Sequence, residues 1–407
     1  MKYHNFVKGL LCGVLLVLIC MGGMLFRYQL KIKRILENRN AVTQDNGTEL
    51  ELDGILVGSK VDEMKNTINE YYLNEIDSGQ VEDLLYEGMV MGLDDPYSVY
   101  YTREELELMN EATSGTYVGI GVTLSQDAET KVITVVSCFE DSPAYEAGIL
   151  PGDVVIALDD EKTEQMDLNT LVSKIKTGKK DSITLGLSRN GEVISIEVEK
   201  SDIKVPTVEG EMLEDQIGYL QILEFDQVTY DQFKAELQEL EDQDMKALII
   251  DLRNNPGGVL QTVCDMLDLI LPEGRIVYTE DKNGKKEEYY SDEEHQFQKP
   301  MVVLINENSA SASEIFAGAV KDYEWGTLIG TTTYGKGIVQ RIFRLSDGTG
   351  LKLTVAKYYT AKGNDIHEKG IEPDIEVELD PDLRGKAVIT PEEDNQLQEA
   401  IQLLKAG

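Results

Sequence analysis

Histidine is nearly absent: the 407-residue chain has 3, His4, His295 and His367. His4 precedes an apolar N-terminal run and His295 sits in the charged stretch Ser291-Asp292-Glu293-Glu294-His295. Only His367, in the polar loop 363–368, is left as a general base. A serine hydroxyl needs a positioned neighbour to take its proton, most often histidine but sometimes lysine. A Ser/His/Asp arrangement is therefore poorly supplied, and serine chemistry here points to lysine. Basic charge is also short. There are 38 lysines and arginines against 75 aspartates and glutamates, a formal net charge of −37. That excludes the basic footprint that nucleic acids and anionic lipids require; the surplus acid reads as a solvated surface. Cysteine is sparse as well. Cys12 and Cys20 fall in the apolar run, and Cys138 and Cys264 among apolar residues, a pattern of buried thiols rather than a disulfide.

The length allows two or three domains with proper cores. Residues 9–26 carry no charged side chain, and at about 1.5 Å rise per residue a helix of that length nearly crosses a bilayer's hydrocarbon core. No small-residue cleavage site follows, and Ile19 before Cys20 is too large for lipoprotein processing. Residues 1–36 are therefore expected to form a cytoplasmic tip and an uncleaved signal-anchor helix. Flanking charge does not fix the orientation: Lys2 and Lys8 precede the run, whereas Arg27, Lys31, Lys33 and Arg34 follow it. Residues 37–59 are polar and weakly patterned, as in a stalk. Val61, Met64, Ile68, Tyr71 and Tyr72, then Val81, Leu84, Leu85, Met89 and Leu93, recur at helical spacing. They predict a helical region over 60–112, with Asp95-Pro96-Tyr97-Ser98 as a turn and no visible chemistry.

Residues 113–201 are β-rich. Alternation over 131–136 and 182–187 marks strands, and Arg189-Asn190-Gly191-Glu192 supplies a hairpin turn. Ser142-Pro143-Ala144 through Gly148 reads as a short helix and Leu150-Pro151-Gly152-Asp153 as a turn. With Tyr117-Val118-Gly119-Ile120-Gly121-Val122, this segment resembles a PDZ domain. The resemblance implies that Val118, Gly119, Ile120 and Gly121 form a loop whose N–H groups receive a peptide's C-terminus, the peptide adding as a strand. A plain β-bulge is the alternative for those glycines.

From 202 to 385 strands alternate with helices: strands at 217–222, 247–251 and 301–305, helices at 229–240 and 259–271. Such apolar runs imply an α/β core with a mainly parallel sheet, decorated by two hairpins at Asn283-Gly284 and Asp347-Gly348. Residues 386–407 form a C-terminal helical segment. The fold expected is therefore α/β and multidomain: N-terminal membrane helix, helical segment, β-rich PDZ domain, and α/β core.

Ser311 opens a helix after the buried strand ending at Ile305. Ser311-x-x-Glu314 fits a capping box, but a serine at a helix start also lies where free N–H groups can stabilise an oxyanion. Gly330 to Lys336 imitates the phosphate-cradling Gly-x-x-x-x-Gly-Lys, yet Gly337 stands where Ser or Thr should ligate magnesium, and 338–345 reads as a strand rather than the required helix. As a base, Lys336 would have to be buried, since desolvation disfavours the ammonium. Gln340 could orient the amine without adding charge. Asp251-Leu252-Arg253-Asn254-Asn255-Pro256-Gly257-Gly258 makes a strand-to-helix turn whose glycines suit N–H donation to an oxyanion or merely a tight connection.

Together with Asp94-Asp95-Pro96-Tyr97-Ser98 and Gly370-Ile371-Glu372-Pro373-Asp374, these motifs resemble the carboxyl-terminal processing, or tail-specific, proteases from about Val61 to the end of the chain. The resemblance implies a serine endopeptidase with Ser311 as nucleophile, Lys336 as base and Gln340 orienting it. It places oxyanion donors at the amides of Gly257, Gly258 and Ala312. It implies protein substrates with exposed C-terminal tails, no cofactor, no metal and no nucleic acid. It also favours a single-pass cell-membrane protein with an extracytoplasmic catalytic portion, and leaves a homodimer open. A catalytically inert PDZ scaffold binding protein C-termini is the alternative.

Overall fold

The computed structural model describes residues 50–406 apart from 165, 179, 387 and 388, in two units divided between Tyr86 and Glu87. The first unit holds helix α1 (Gly54–Tyr71) and the start of α2 (Ser78–Met91). Asp53 caps α1 by accepting the N–H groups of Ile55 and Leu56, so the helix starts inside the segment read as stalk. It buries no side chain.

In the second unit, β1 (Val99–Tyr101) leads into α3 (Arg103–Ser114). This helix opens with a Thr102/Glu105 capping box and ends at Gly115, whose φ of 66° suits glycine. Next come β2 (Thr116–Gly119), β3 (Val122–Gln126), β4 (Ile133–Cys138), the short α4 (Pro143–Glu146), β5 (Val154–Leu158), β6 (Glu161–Lys162), α5 (Leu168–Thr177), β7 (Ser182–Arg189), β8 (Glu192–Glu199) and β9 (Ser201–Lys204). Strands run β3-β4-β5-β7-β8 with β6 on β5, while β2 and β9 form a separate ribbon. The β7–β8 hairpin turns on Asn190 and Gly191, both at positive φ as the expected turn requires. Inward residues such as Ile133, Leu171, Ile183 and Leu187 give this region its own core.

The remaining elements are β10 (Val208–Leu213), β11 (Ile217–Ile222), α6 (Thr229–Asp242), β12 (Ala247–Asp251), α7 (Leu260–Asp268), β13 (Gly274–Asp281), β14 (Lys286–Ser291), β15 (Met301–Ile305), α8 (Ala312–Tyr323), β16 (Thr327–Gly330), β17 (Ile338–Arg344), β18 (Gly350–Thr360), β19 (Ile375–Glu376) and α9 (Asn395–Ala406). The central sheet runs β10-β11-β12-β15-β16-β19, antiparallel at β10–β11 and parallel thereafter. Both its faces are covered. Leu248, Ile250, Val303 and Ile305 face one core that includes Phe233 of α6, Val263 of α7 and Phe316 of α8. Ile249, Val302 and Leu304 face another with Leu397 and Ala400 of α9. This two-sided burial is why these strands read as unbroken apolar runs.

Two expectations need correction. The sheets are mixed: the central sheet carries an antiparallel pair, β10–β11, beside its parallel ones, and the two hairpins do not decorate it but join β1 in a separate five-stranded antiparallel sheet, in which β1, β13 and β17 all pair with the long β18. And the membrane helix forms no part of the described architecture. Residues 9–26 lie outside the described residues, and among the described residues no helix is long and apolar enough to cross a membrane.

Candidate active site

The turns after β12 and β15, at the carboxyl ends of adjacent parallel strands, are laced together. Ser309 Oγ donates to the Leu252 carbonyl at 2.7 Å and accepts the Asn306 N–H at 2.9 Å. Asn254 Oδ1 accepts from the amides of Asn306 at 3.0 Å and Asn308 at 2.9 Å. Asn255, wholly buried, donates Nδ2 to the Ile222 carbonyl at 2.8 Å. Its own carbonyl accepts from Ala310 N–H at 3.0 Å and Ser313 Oγ at 2.9 Å. Ser309 and Ser313 thus serve the fold. Ser311, between them, is the half-buried one of the three.

Ser311 has φ 56° and ψ −111°, a region that residues with a Cβ rarely occupy and that over-determined functional sites retain. Its neighbours hold it there. Buried Glu314 accepts the Ser311 N–H at 2.9 Å and the Lys336 N–H at 2.8 Å with Oε2, and Gly335 N–H at 2.6 Å and Thr333 Oγ1 at 2.7 Å with Oε1. From β18, the Tyr358 hydroxyl lies 3.0 Å from the Ser311 carbonyl oxygen and 2.5 Å from that of Lys336. Burial pushes this phenol well above its ordinary pKa, so it stays a neutral donor. One carboxylate and one phenol therefore clamp the main chains of Ser311 and Lys336 to each other. The Glu314 carboxylate also fills the Gly335 and Lys336 N–H groups that a phosphate would need, and the loop runs into strand β17; both features argue against a nucleotide site.

Burial pushes the Lys336 amine below the ordinary lysine range. Lys352 acts in the same direction, while Glu314 and Asp95 pull it back. Lys336 Nζ lies 4.9 Å from the centre of the Tyr97 ring. Gln340 Nε2 donates to Thr354 Oγ1 at 3.3 Å. His367 packs its main chain against Gly337, where an added Cβ would meet the His367 nitrogen at 2.7 Å; its Nδ1 is buried without a hydrogen-bond partner. No hydrogen bond joins it to Ser311.

The three amides expected as oxyanion donors differ. Gly257 N–H already donates to Asn255 Oδ1 at 2.8 Å. Those of Gly258 and Ala312 have no acceptor among the described residues, and Ala312 sits in the first turn of α8, where N–H groups are free and the helix dipole favours negative charge. Gly258 is held by Phe225, which brackets it with bonds from Phe225 N–H to the Gly257 carbonyl and from Val259 N–H to the Phe225 carbonyl.

Below the turn, Arg253 sits between Asp251 and Asp394, with Nη2 at 2.5 Å and 2.8 Å from their carboxylates. Nη1 adds a bond to Gln396 Oε1 at 3.0 Å, and Tyr219 donates to Asp251 at 2.7 Å. This buried fork ties the start of α9 to the Asn254–Gly258 turn. Lysine keeps the charge but has no planar five-donor fork to engage Asp251, Asp394 and Gln396 together. Arg253→Lys should therefore lower the unfolding free energy by about 1–3 kcal/mol, read as a lower midpoint in urea at unchanged slope.

In the 116–204 region, a cavity of about 190 Å³ lies between β3 and α5, lined by Tyr117, Gly119, Ile120, Gly121, Val122, Leu124, Leu168, Val172, Ile175 and Lys176. Of the four residues named for peptide binding, Gly119, Ile120 and Gly121 line this cavity, whereas Val118 is half exposed on β2 and does not. The N–H groups of Ile120 and Gly121 have no backbone acceptor among the described residues, and β3 pairs only with β4, leaving its other edge open toward α5.

Sequence reasoning missed Tyr358, Tyr97 and Asn255 and read Glu314 only as a cap. For Glu314 a signal existed in its spacing from Ser311; for Tyr358, in a strand of mixed apolar and polar residues, there was none.

Residues 216–377 match the family model described as Peptidase family S41, residues 117–199 that of the PDZ domain, and residues 17–105 that of the Activating protease CtpB N-terminal domain. The chain is 37% identical over 323 residues to Carboxy-terminal processing protease CtpA of Bacillus subtilis, spanning 79% of this chain and 69% of that one. It is 36% identical over 327 residues to the Carboxyl-terminal-processing protease of Synechocystis, spanning 79% and 76%. A solved Bacteroides fragilis protein described as an S41 protease superposes with a TM-score of 0.51 at 17% identity, over 83% of this chain and 93% of that one. At that identity the likeness speaks for the fold alone.

Proposed function

We propose a mechanism from one premise: this chain belongs to the carboxyl-terminal processing proteases, PDZ-containing serine-type peptidases of family S41. Ser311 is the nucleophile and Lys336 the general base. As Oγ bonds to the scissile carbonyl carbon, the neutral amine takes its proton. The carbonyl oxygen, now negative, accepts from the Ala312 N–H and a glycine amide of the 257–258 turn. The ammonium returns the proton to the leaving amine, and water then releases the acyl group by the same route. The observation that carries this reading is the double clamp of Glu314 and Tyr358, which binds the strained serine and the desolvated lysine into one rigid unit.

The PDZ groove supplies the choice of substrate. A protein's C-terminal carboxylate would accept from Ile120 and Gly121 N–H, its last residues would pair with the open edge of β3, and an apolar terminal side chain would enter the cavity. A fluorophosphonate probe tests the dyad. Mass spectrometry should locate the adduct on Ser311 in the wild-type protein, with labelling slowed by about 10²-fold or more in Lys336→Ala. An unlabelled Ser311 would leave an inert PDZ scaffold as the better description.

A further inference from the structure

The turn at Asp95–Ser98 comes from outside both catalytic loops, yet it lies against the lysine. Strand β1 fixes it there: Val99, Tyr100 and Tyr101 pair with Lys352, Leu351 and Gly350 of β18. Ser98 Oγ accepts the Thr354 N–H at 3.2 Å and donates to Asp95 Oδ2 at 2.6 Å, while Asp95 Oδ1 accepts the Tyr97 N–H at 3.0 Å. Thr354 also holds Gln340, so the turn and the residue expected to orient the lysine share one anchor. The Tyr97 ring centre then lies 4.9 Å from Lys336 Nζ, within the range at which an aromatic face attracts an ammonium.

We propose that Tyr97 is a positioning residue for Lys336, its ring face holding the ammonium in place between turnovers, and that Asp95, which ties the turn through Ser98 and the Tyr97 N–H, keeps the ring there and adds its charge to setting the acidity at which the amine becomes a base. The proposal rests on the reading of Lys336 as the base. The groups facing the amine are Asp95 and Tyr97 of the turn, Glu314 of α8, Lys352 of β18 and, beside Tyr97, Tyr334 of the lysine loop. Burial and the Tyr334 hydroxyl push Tyr97 up to about 12, so at neutral pH it acts through its π face and not as a phenolate. Burial raises Asp95, but hydrogen bonds from Ser98, Thr354 and the Tyr97 N–H, with the Lys336 charge, outweigh it and hold the carboxyl below its usual range. It is therefore ionised when the enzyme works. Ring and carboxylate both favour the ammonium; burial and Lys352 oppose it. Without the first pair the amine should lose its proton at lower pH.

Competitive acylation of lysines across a pH series, read by mass spectrometry at Lys336, reports the titration of the amine whether or not it is the base. In Tyr97→Leu and in Asp95→Asn the midpoint should fall by about one pH unit, Tyr97→Phe should keep the wild-type midpoint, and Lys352→Gln should raise it. The acid limb of kcat/KM for a tail peptide should move with the midpoint. An unchanged midpoint in Asp95→Asn and in folded Tyr97→Leu overturns the proposal. Should Tyr97→Leu fail to fold, Asp95→Asn alone decides. Failure of the base assignment would show separately, as a fully active Lys336→Ala.

Discussion

Ser311→Ala should lower kcat/KM for a C-terminal tail peptide by about 10⁴-fold or more while moving the thermal midpoint by no more than about 2 °C. The asymmetry follows from what holds the residue. Glu314 grips the Ser311 N–H and Tyr358 the Ser311 carbonyl, so alanine inherits the same main-chain bonds and the same strained φ. The hydroxyls of Ser309 and Ser313 are different, since each donates to a buried carbonyl and its removal would leave that carbonyl short of a partner. Lys336→Ala should be comparably inactive for a different reason. Its nucleophile remains, but the amine assigned to take the proton is gone, and among the described residues His367 makes no hydrogen bond to Ser311. The measurement is paired: product masses from a synthetic tail peptide over several hours, and melting of the same preparations. Cleavage at the wild-type rate by either variant would remove the dyad from the mechanism, whereas inactivity with a midpoint lower by ten degrees or so would mean that folding, not chemistry, had been lost.

How far such a site can be seen in a sequence depends on the range of the forces that build it. The central strands at 217–222, 247–251 and 301–305 were legible to the residue, because burial on both faces leaves an unbroken apolar run that a short window captures. The hairpins at Asn283-Gly284 and Asp347-Gly348 were legible as turns, because positive φ at a glycine is a local demand. Their union into one sheet with Val99–Tyr101 was not, since β1 and β18 meet across some 250 residues of chain and β18 is half-buried along most of its length. The site divides in the same way. Ser311 and Lys336 stand in recognisable local motifs, and the capping box disclosed Glu314, but nothing near Tyr358 hints that its hydroxyl joins the two motifs. Nor does the Pro256-Gly257-Gly258 turn reveal that Asn255 takes up the Gly257 amide. That is a side-chain choice made only once the turn has folded, and it shifts the free donors toward Gly258 and Ala312.

Gly257→Ala should then be strongly damaging although it removes no catalytic side chain. Gly257 has φ 103°, where an L side chain is strained before any neighbour is considered. Its new Cβ would stand 2.6 Å from the Ala310 carbonyl oxygen, 2.8 Å from Ser311 Cβ and 2.9 Å from Ala312 N. None of these atoms is the end of a flexible chain. Ala310 is tied to the Asn255 carbonyl, Ser311 to Glu314 and Tyr358, and Ala312 is the first residue of a helix buried through Val320. Relief must move the nucleophile, the Ala312 donor or the glycine turn itself, and each belongs to the proposed transition-state geometry. Misplacement by about 1 Å or loss of one oxyanion donor costs on the order of 10²–10³-fold in kcat. KM for a tail peptide should change much less, because the PDZ groove shares no residue with this turn. Fluorophosphonate labelling of Ser311 should slow in parallel with kcat, since the probe's phosphoryl oxygen needs the same donors. A variant with kcat within about threefold of wild type would mean that Gly257 lies outside the reacting geometry, and the oxyanion site would then have to be built from amides elsewhere around Ser311.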